Sequence, residues 1–344
     1  MLEGFTLPLV AVIVLAVVFD YINGFHDTAN AIATSVATRA LRPAHAVAMA
    51  AAFNFIGAFA GTAVAKTIGA GLVDETTTTQ AVVAAALIGA IAWNLVTWRW
   101  GIPSSSSHAL IGGLIGATIV AAGVDALKPE GIWSKVLVPL VTSPLLGFVL
   151  AFGLMVALYW IFRRAARRTL ASRFRRLQLI SAGYMAFSHG SNDAQKTMGI
   201  ITLALVAGGG VANGWVGVDA AGVPEIPAWV IVTAATAISL GTAVGGWRIM
   251  ATMGHRVVDL EPIHGFAAET TASTIIYAAA HFGMPVSTTH VISSAIMGVG
   301  TSKGAHGVRW GVARSILVAW IVTIPAAGAV GALAYIVLNA LGVR

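Results

Sequence analysis

Long apolar stretches, separated by short polar breaks, run along the whole chain. A spanning helix needs roughly 20 apolar residues, and on that template the pattern predicts about ten membrane-embedded segments. They lie near residues 5–38, 44–65, 80–98, 107–124, 135–162, 178–210, 228–247, 264–281, 289–301 and 311–340. The segments at 5–38 and 178–210 contain polar clusters and are predicted to be broken helices. The segments at 107–124 and 289–301 are short and rich in Gly, so they could be re-entrant hairpins.

Composition supports an all-α polytopic membrane protein. Of the 344 residues, 58% are hydrophobic and 10% are charged, which lies outside the range of soluble globular domains. The chain has no Cys, which excludes a disulfide framework and thiolate chemistry. The opening "MLEGFTLPLV" lacks the basic n-region of a signal peptide, so the first segment is expected to remain as a helix.

Basic residues indicate the orientation. The stretch "RRAARRTLASRFRR", residues 163–176, carries seven Arg and is predicted to be a cytoplasmic loop. If the segments alternate across the membrane from there, both chain ends are extracytoplasmic. Basic loops retained in the cytoplasm also account for the formal net charge of +7, so no nucleic-acid partner is expected.

Two polar stretches of the first half recur in the second half. "NGFHDTANA", residues 23–31, aligns with "HGSNDAQKT", residues 189–197. "GIPSSSSHALIGGLIG" aligns still more clearly with "GMPVSTTHVISSAIMG". Such recurrence indicates that the chain contains two copies of one unit.

The two copies are assigned to residues 1–162 and 178–344, joined by a basic cytoplasmic linker at 163–177. Ten segments divide into five per copy, an odd number, so the second copy would begin on the opposite side of the membrane. The predicted fold is therefore two inverted-topology repeats with broken helices, an architecture typical of secondary transporters.

Each copy carries an Asp inside a membrane segment. An ionisable residue there costs roughly 2.5–3.5 kcal/mol on insertion scales and tends to mark a pathway or a site. Inverted repeats would bring Asp27 and Asp193 together near the midplane, where they are candidate ligands of sodium or a divalent metal ion. The neighbours predicted to bind or couple the cation with them are Asn23, His26 and Asn192. For either Asp alone, the alternative is capping of backbone N–H groups at a helix break.

The recurring hydroxyl clusters predict an anion site. In "PSSSSH" and "PVSTTH", Pro followed by Ser or Thr is typical of a helix start, where free N–H groups and the positive end of the helix dipole face outward. Two such starts entering from opposite faces would hold an oxyanion between them. The predicted anion ligands are Asn30, Ser104, Ser105, Ser106, Ser107, Gln195, Lys196, Ser287, Thr288 and Thr289. The alternative is that the hydroxyls only cap two helices, and that His108 and His290 are helix-start residues rather than ligands.

Five segments resemble the signature segments of the inorganic phosphate transporter (PiT) family: "NGFHDTANAIAT", "FSHGSNDAQKTMGI", "GIPSSSSHALIGG", "GFAAETTAS" and "GMPVSTTH". The resemblance covers nearly the whole chain. It implies a plasma-membrane symporter that carries phosphate with cations, with both Asp motifs essential, Glu269 important for coupling, and a homodimeric assembly. His26 stands where the commoner family motif has Asn, as in bacterial low-affinity members similar to the proton-coupled type.

Charge balance independently favours cotransport. Like charges 4 Å apart repel by about 4 kcal/mol at an effective dielectric of 20, so two carboxylates and a phosphate cannot share a dry site unless cations enter with the anion. Sodium, protons and a metal–phosphate complex all remain open. His26 could titrate near neutral pH, and Lys196 could offset one carboxylate. No tightly bound cofactor is expected.

Three other functions fit parts of the pattern. A permease for sulfate or another tetrahedral oxyanion would use the same helix starts. An intramembrane hydrolase could use a hydroxyl beside His108 or His290, but it would need one oriented triad rather than two copies. An anion channel would not need the paired Asp residues. The sequence therefore predicts a transporter and not an enzyme.

Overall fold

The computed structural model describes residues 6–74 and 76–343. Within them the chain is helical, and the extended backbone pairs only at isolated bridges. The helices are α1 (Leu7–Ala37), α2 (Pro43–Gly57), α3 (Ala63–Ala70), α4 (Gln80–Trp100), α5 (Ser106–Ala122), α6 (Pro129–Ile132), α7 (Val138–Ile161), α8 (Arg167–Ala207), α9 (Ala228–Val244), α10 (Trp247–Ala251), α11 (Pro262–His281), α12 (Thr288–Thr301) and α13 (Trp310–Ala340). The chain ends predicted to be extracytoplasmic, residues 1–5 and Arg344, lie outside the described residues.

Four described helical stretches are long and apolar enough to cross a membrane unaided, and the bent pair α9–α10 makes a fifth if it is counted as one span. The four are Leu7–Ala37, Gln80–Trp100, Pro129–Ile161 and Trp310–Ala340. Large apolar side chains such as Leu145 on α7 and Ile321 on α13 face outward, as lipid-facing surfaces require. The fold is therefore the predicted all-α membrane architecture, with polar or short helices enclosed by apolar ones.

The predicted helix breaks are in the wrong places. Both α1 and α8 continue without interruption through the polar stretches 23–31 and 189–197. A continuous helix satisfies its own backbone groups, so the polar side chains can lie within the membrane without a break in the backbone. The interruptions lie instead between α2 and α3, and between α9 and α10, where the axis bends by 59° at Gly245. This glycine has a φ of 81°, which other residues rarely adopt.

The Arg-rich stretch predicted to be a loop is also largely helical. Helix α8 begins at Arg167 and contains the rest of that stretch. Arg has a high helix propensity, and the run contains no Gly or Pro that would end a helix. Most of the basic segment is thus continuous with α8 rather than a loop.

Helices α5 and α12 are half-length. They contain 17 and 14 residues, and at a rise of about 1.5 Å per residue each is shorter than the roughly 30 Å hydrocarbon core. Each follows a short extended segment that starts at a glycine with a φ of 66°, Gly101 or Gly283. The re-entrant alternative for both predicted segments therefore agrees with the helix lengths.

Helices α1 and α8 lie side by side and run in opposite directions. At one end the Thr38 hydroxyl donates to Gln178 Oε1 over 2.7 Å. At the other end, a Cβ added to Gly208 would lie 3.3 Å from Leu9 Cδ2. The polar stretches of the two helices consequently meet midway along the pair.

The backbones of α1 and α9 approach closely where the two helices cross. A Cβ on Gly24 would lie 2.4 Å from the Ile238 carbonyl oxygen, and one on Gly241 would lie 2.1 Å from the Tyr21 carbonyl oxygen. Small residues allow membrane helices to approach this closely. The crossing holds the polar stretch of α1 against α9.

We expect Gly24→Ala to lower the thermal unfolding midpoint of the detergent-purified protein, because the added methyl overlaps the Ile238 carbonyl and overpacking costs about 1–3 kcal/mol. Gly153→Ala on α7 is the matched control, since no atom lies within 4 Å of the added Cβ. The control should be neutral or slightly stabilising, because Ala is the better helix former. Equal midpoints for the two variants would contradict the close crossing.

Candidate functional site

Three buried ligating side chains converge where α1 meets α8. Asp27, His189 and Asp193 each offer a ligand atom, and these atoms lie within 4.8 Å of one another. Carboxylate and imidazole groups at this spacing can hold a cation. The sequence predicted both Asp residues but missed His189. Its spacing of four residues from Asp193, which places both on one helix face, is the signal that could have found it.

The orientation of the His189 ring is fixed by a chain of hydrogen bonds. Asn54 Nδ2 donates to the Thr242 hydroxyl over 2.8 Å, which aims Asn54 Oδ1 at His189 Nδ1, 3.0 Å away. In a neutral ring Nδ1 then carries the hydrogen, and Nε2 presents a lone pair. Nε2 lies 3.3 Å from Asp193 Oδ2. Two acceptors facing each other indicate a place for a proton or a metal cation.

Lys196 neutralises one carboxylate of the cluster. Its ammonium contacts Asp193 Oδ1 and the Ser107 hydroxyl and donates to the Val286 carbonyl over 3.2 Å. Both Lys196 and Asp193 are buried. The ammonium therefore joins α8 to the start of α5 and to the segment that leads into α12.

Asp27 receives a separate chain of hydrogen bonds. His26 Nδ1 lies 2.6 Å from Asp27 Oδ1, and because a carboxylate only accepts, Nδ1 is the donor. On its other side His26 Nε2 lies 3.0 Å from the Thr97 hydroxyl, which accepts from Ser104 over 2.8 Å. The predicted residues His26, Asp27 and Ser104 thus form one continuous chain through Thr97, which the sequence did not single out.

The starts of α5 and α12 meet in the centre of the protein. Ser105 Oγ accepts from the His108 backbone N–H, and Ser287 Oγ accepts from the His290 backbone N–H, each over 3.1 Å. The His108 and His290 ring centroids are 4.8 Å apart. Two positive helix ends therefore face one another, which favours an anion between them.

The hydroxyls at these helix starts have different roles. Ser105 and Ser287 cap their helices, as the alternative interpretation held for the whole cluster. Ser106 Oγ is buried without a hydrogen-bond partner. Asn30 Nδ2 donates to Thr288 over 3.2 Å and to Thr289 over 2.9 Å, which ties α1 to the start of α12.

Three predicted site residues have other surroundings. Gln195 Oε1 accepts from the Val64 backbone N–H over 2.8 Å, so this side chain caps α3 outside the cluster. Asn192 Nδ2 donates to the Met284 carbonyl over 3.2 Å. Both amide atoms of Asn23 are buried without a hydrogen-bond partner. Sequence spacing alone could not separate these three environments.

Glu269 occupies a second polar cluster further along α1. Its carboxylate accepts from Thr34 over 2.5 Å, from Gln178 Nε2 over 3.0 Å and from the Ser181 hydroxyl. Three donors from α1 and α8 satisfy a carboxylate on α11, as a buried charge requires. Thr34 lies one helical turn from Asn30, so this cluster adjoins the central one.

We expect Lys196→Met to destabilise the folded protein by about 3–5 kcal/mol, because it leaves Asp193 buried without its cation. The double variant with Asp193→Asn should recover most of the loss, since no uncompensated charge remains. The measurement is the thermal unfolding midpoint of the detergent-purified protein.

Lys66→Met is the control for this prediction. Lys66 Nζ lies 2.6 Å from Asp219, but both side chains are partly exposed, at 35% and 27%. The hydrogen bond from Lys66 lowers the pKa of Asp219, yet ion pairs in water contribute little to stability. If both Lys variants lost the same stability, or if the Lys196 and Asp193 effects were additive, the buried pair would not have the role assigned to it.

Comparison with known proteins supports the same class of protein. A sequence model of the phosphate transporter family matches residues 23–172 and 163–331. A Bacillus subtilis protein named "Probable low-affinity inorganic phosphate transporter" is 47% identical over 332 residues, covering 96% of this chain and 97% of the relative. A protein of the same name from Rhizobium meliloti is 48% identical over 328 residues, covering 95% of each chain.

A solved structure has the same fold. It is described as "The sodium-dependent phosphate transporter" and superposes with a TM-score of 0.83 at 25% sequence identity. The match covers 98% of this chain and 100% of the solved one. The likeness thus extends over both halves of the molecule.

Proposed function

Because the chain belongs to the phosphate transporter family, we propose that it is a secondary active symporter that imports inorganic phosphate across the plasma membrane together with a cation. Its relatives are named as transporters, which indicates transport rather than catalysis. The observation that carries the proposal is the convergence of Lys196 and two facing helix starts on the buried carboxylates Asp27 and Asp193.

Phosphate would bind between the starts of α5 and α12. The donors available there are the Lys196 ammonium, the Ser106 hydroxyl and the backbone N–H groups of the first helical turns. The Ser107 hydroxyl donates to the Val286 carbonyl over 3.3 Å and would turn to the anion when it binds. Asn30, Thr288 and Thr289 border the same space. A tetrahedral oxyanion supplies acceptors for all of these donors. Sulfate would satisfy the same donors and is the alternative substrate.

A cation would bind between Asp27, His189 and Asp193. His189 Nε2 lies 3.3 Å from Asp193 Oδ2 without a hydrogen-bond partner, which supports this placement, and so does the repulsion that an incoming anion would meet at two carboxylates. The solved neighbour is described as sodium-dependent, which makes sodium the first candidate. Because His26 could pass a proton to Asp27 through their hydrogen bond, a proton is the alternative to sodium as the coupled cation.

We further propose two inverted repeats that alternate access to this site, in a chain that forms homodimers. Support comes from matched features of the two halves: the opposed directions of α1 and α8, the facing starts of α5 and α12, and the left-handed glycines Gly101 and Gly283. The outward-facing apolar side chains of α7 and α13 offer surface for lipid or a second copy. Both chain ends would be extracytoplasmic.

Purified protein in proteoliposomes should take up radiolabelled phosphate when a sodium, proton or magnesium gradient is imposed, each tested separately. We expect Asp27→Asn to abolish this uptake, because a neutral amide cannot replace a carboxylate at the cation site. Asp125→Asn, at an exposed position, is the control and should transport normally.

Several results would contradict the symporter. Uptake by Asp27→Asn at the normal rate would remove the cation site from the mechanism. Flux that does not saturate with phosphate and is indifferent to every cation gradient would indicate a channel. Stronger competition by sulfate than by unlabelled phosphate would make sulfate the substrate.

Inversion predicts that matched positions of the two copies face opposite sides of the membrane. Gly101 and Gly283 are poor sites for a reporter Cys because both have left-handed φ values. The preceding residues, Trp100 and Phe282, are 68% and 63% exposed. In intact cells a membrane-impermeant thiol reagent should label Phe282→Cys and not Trp100→Cys, and inside-out vesicles should reverse the pattern. Labelling of both from one side would show parallel repeats.

A further inference from the structure

Asp20 is a buried carboxyl that the proposed mechanism does not use. It lies on α1, and its exposed fraction is 0%. Neither carboxylate oxygen has a hydrogen-bond partner, and Asp20 forms no ion pair within residues 6–74 and 76–343. An isolated ionised carboxylate is very unfavourable in this environment, so the group must be neutralised by something that it binds.

Two more unsatisfied polar side chains face this carboxyl. They are Asn23, one turn along α1, and Thr197 of α8. Both are buried, and Asn23 Oδ1 and Thr197 Oγ1 also lack hydrogen-bond partners. Carboxylate, amide and hydroxyl oxygens are the ligands that hard cations prefer. The three buried side chains therefore offer a group of oxygen atoms that could bind a cation.

The charges around Asp20 do not supply its counter-ion. The charged groups that act on it from α8 are Asp193 and Lys196, and Lys196 is already engaged by Asp193. Helix α9, which packs on α1, has no titratable side chain, and α4 has only Arg99 in its last turn. On α1 itself the nearest titratable groups are Tyr21, His26 and Asp27.

We propose that Asp20, Asn23 and Thr197 form a second cation site, in which the Asp20 carboxyl binds a proton or a sodium ion that is carried with the substrate. The inference rests on the symporter function proposed above. Asp20 and Asp27 are seven residues apart, which places their backbone positions about 10 Å apart along the helix axis. The Asp20 carboxyl is therefore separate from Asp27, while Thr197 lies one helical turn from Asp193 on α8.

The test compares Asp20→Asn with the native protein in proteoliposomes. The amide has the same shape as the carboxyl but cannot carry the extra charge, so each cycle would move one positive charge fewer. At an imposed potential of about 100 mV, one charge corresponds to about a fifty-fold change in the phosphate accumulation ratio. We expect this loss in Asp20→Asn, while exchange of internal for external phosphate without a gradient continues. Asp125→Asn should retain both activities.

Two gradient arms identify the cation. A sodium gradient at equal pH is applied with a protonophore, and a pH gradient is applied in sodium-free medium. The cation bound at the second site is the one whose gradient no longer drives phosphate accumulation in Asp20→Asn. Accumulation equal to that of the native protein in both arms would overturn the proposal, as would loss of exchange in a folded variant. If the native protein transports no phosphate, the proposed function fails instead.

Thr197→Val provides a second variant in case Asp20→Asn does not fold. It removes one oxygen from the site and keeps the shape of the side chain. A sodium site predicts a higher sodium concentration for half-maximal uptake, and a proton site predicts a shifted pH dependence of uptake. If phosphate uptake by Thr197→Val depended on sodium concentration and on pH as in the native protein, the proposed site would be wrong.

Discussion

Charge inside a membrane must be neutralised by groups that are also inside it, and the centre of this protein is arranged around that constraint. Lys196 reaches Asp193, Ser107 and the Val286 carbonyl at once, so a single ammonium connects α8 with the starts of two half-helices. Glu269 meets the same constraint through three neutral donors. Polar contacts therefore join the central helices in addition to their apolar packing, whereas helices such as α7 and α13 present apolar side chains outward.

The same constraint explains why the polar stretches do not interrupt their helices. A continuous helix satisfies its own backbone groups, which is the requirement that lipid imposes. Opening α1 near Asp27 would break backbone hydrogen bonds that the continuous helix satisfies within itself. Interruptions are accommodated instead at glycines such as Gly245 and before the half-helices, where Ser105 and Ser287 cap the exposed N–H groups.

The sequence predicted the membrane class and the approximate positions of most helices, because hydropathy is a property of the linear chain. The structure brings Asp27, Asp193 and Lys196, which the sequence had singled out, close to one another. The sequence could not place the helix breaks, which depend on the neighbouring helices. His189 and Asp20 were missed for a similar reason, because their roles depend on neighbouring helices. Contacts with Asn54 fix the ring of His189, and Asp20 has no hydrogen-bond partner.

The buried ionisable side chains in the two polar clusters are unequal in charge. Within the described residues the buried Asp, Glu, Lys and Arg side chains are Asp20, Asp27, Asp193, Lys196 and Glu269. One ammonium against four carboxyls leaves an excess of acidic groups before any anion arrives. A phosphate entering beside Lys196 would add negative charge and compete with Asp193 for the same ammonium. In the proposed symporter, binding of the anion would be favourable only when cations or protons already neutralise the remaining carboxyls, which would couple the two substrates without any direct contact between them.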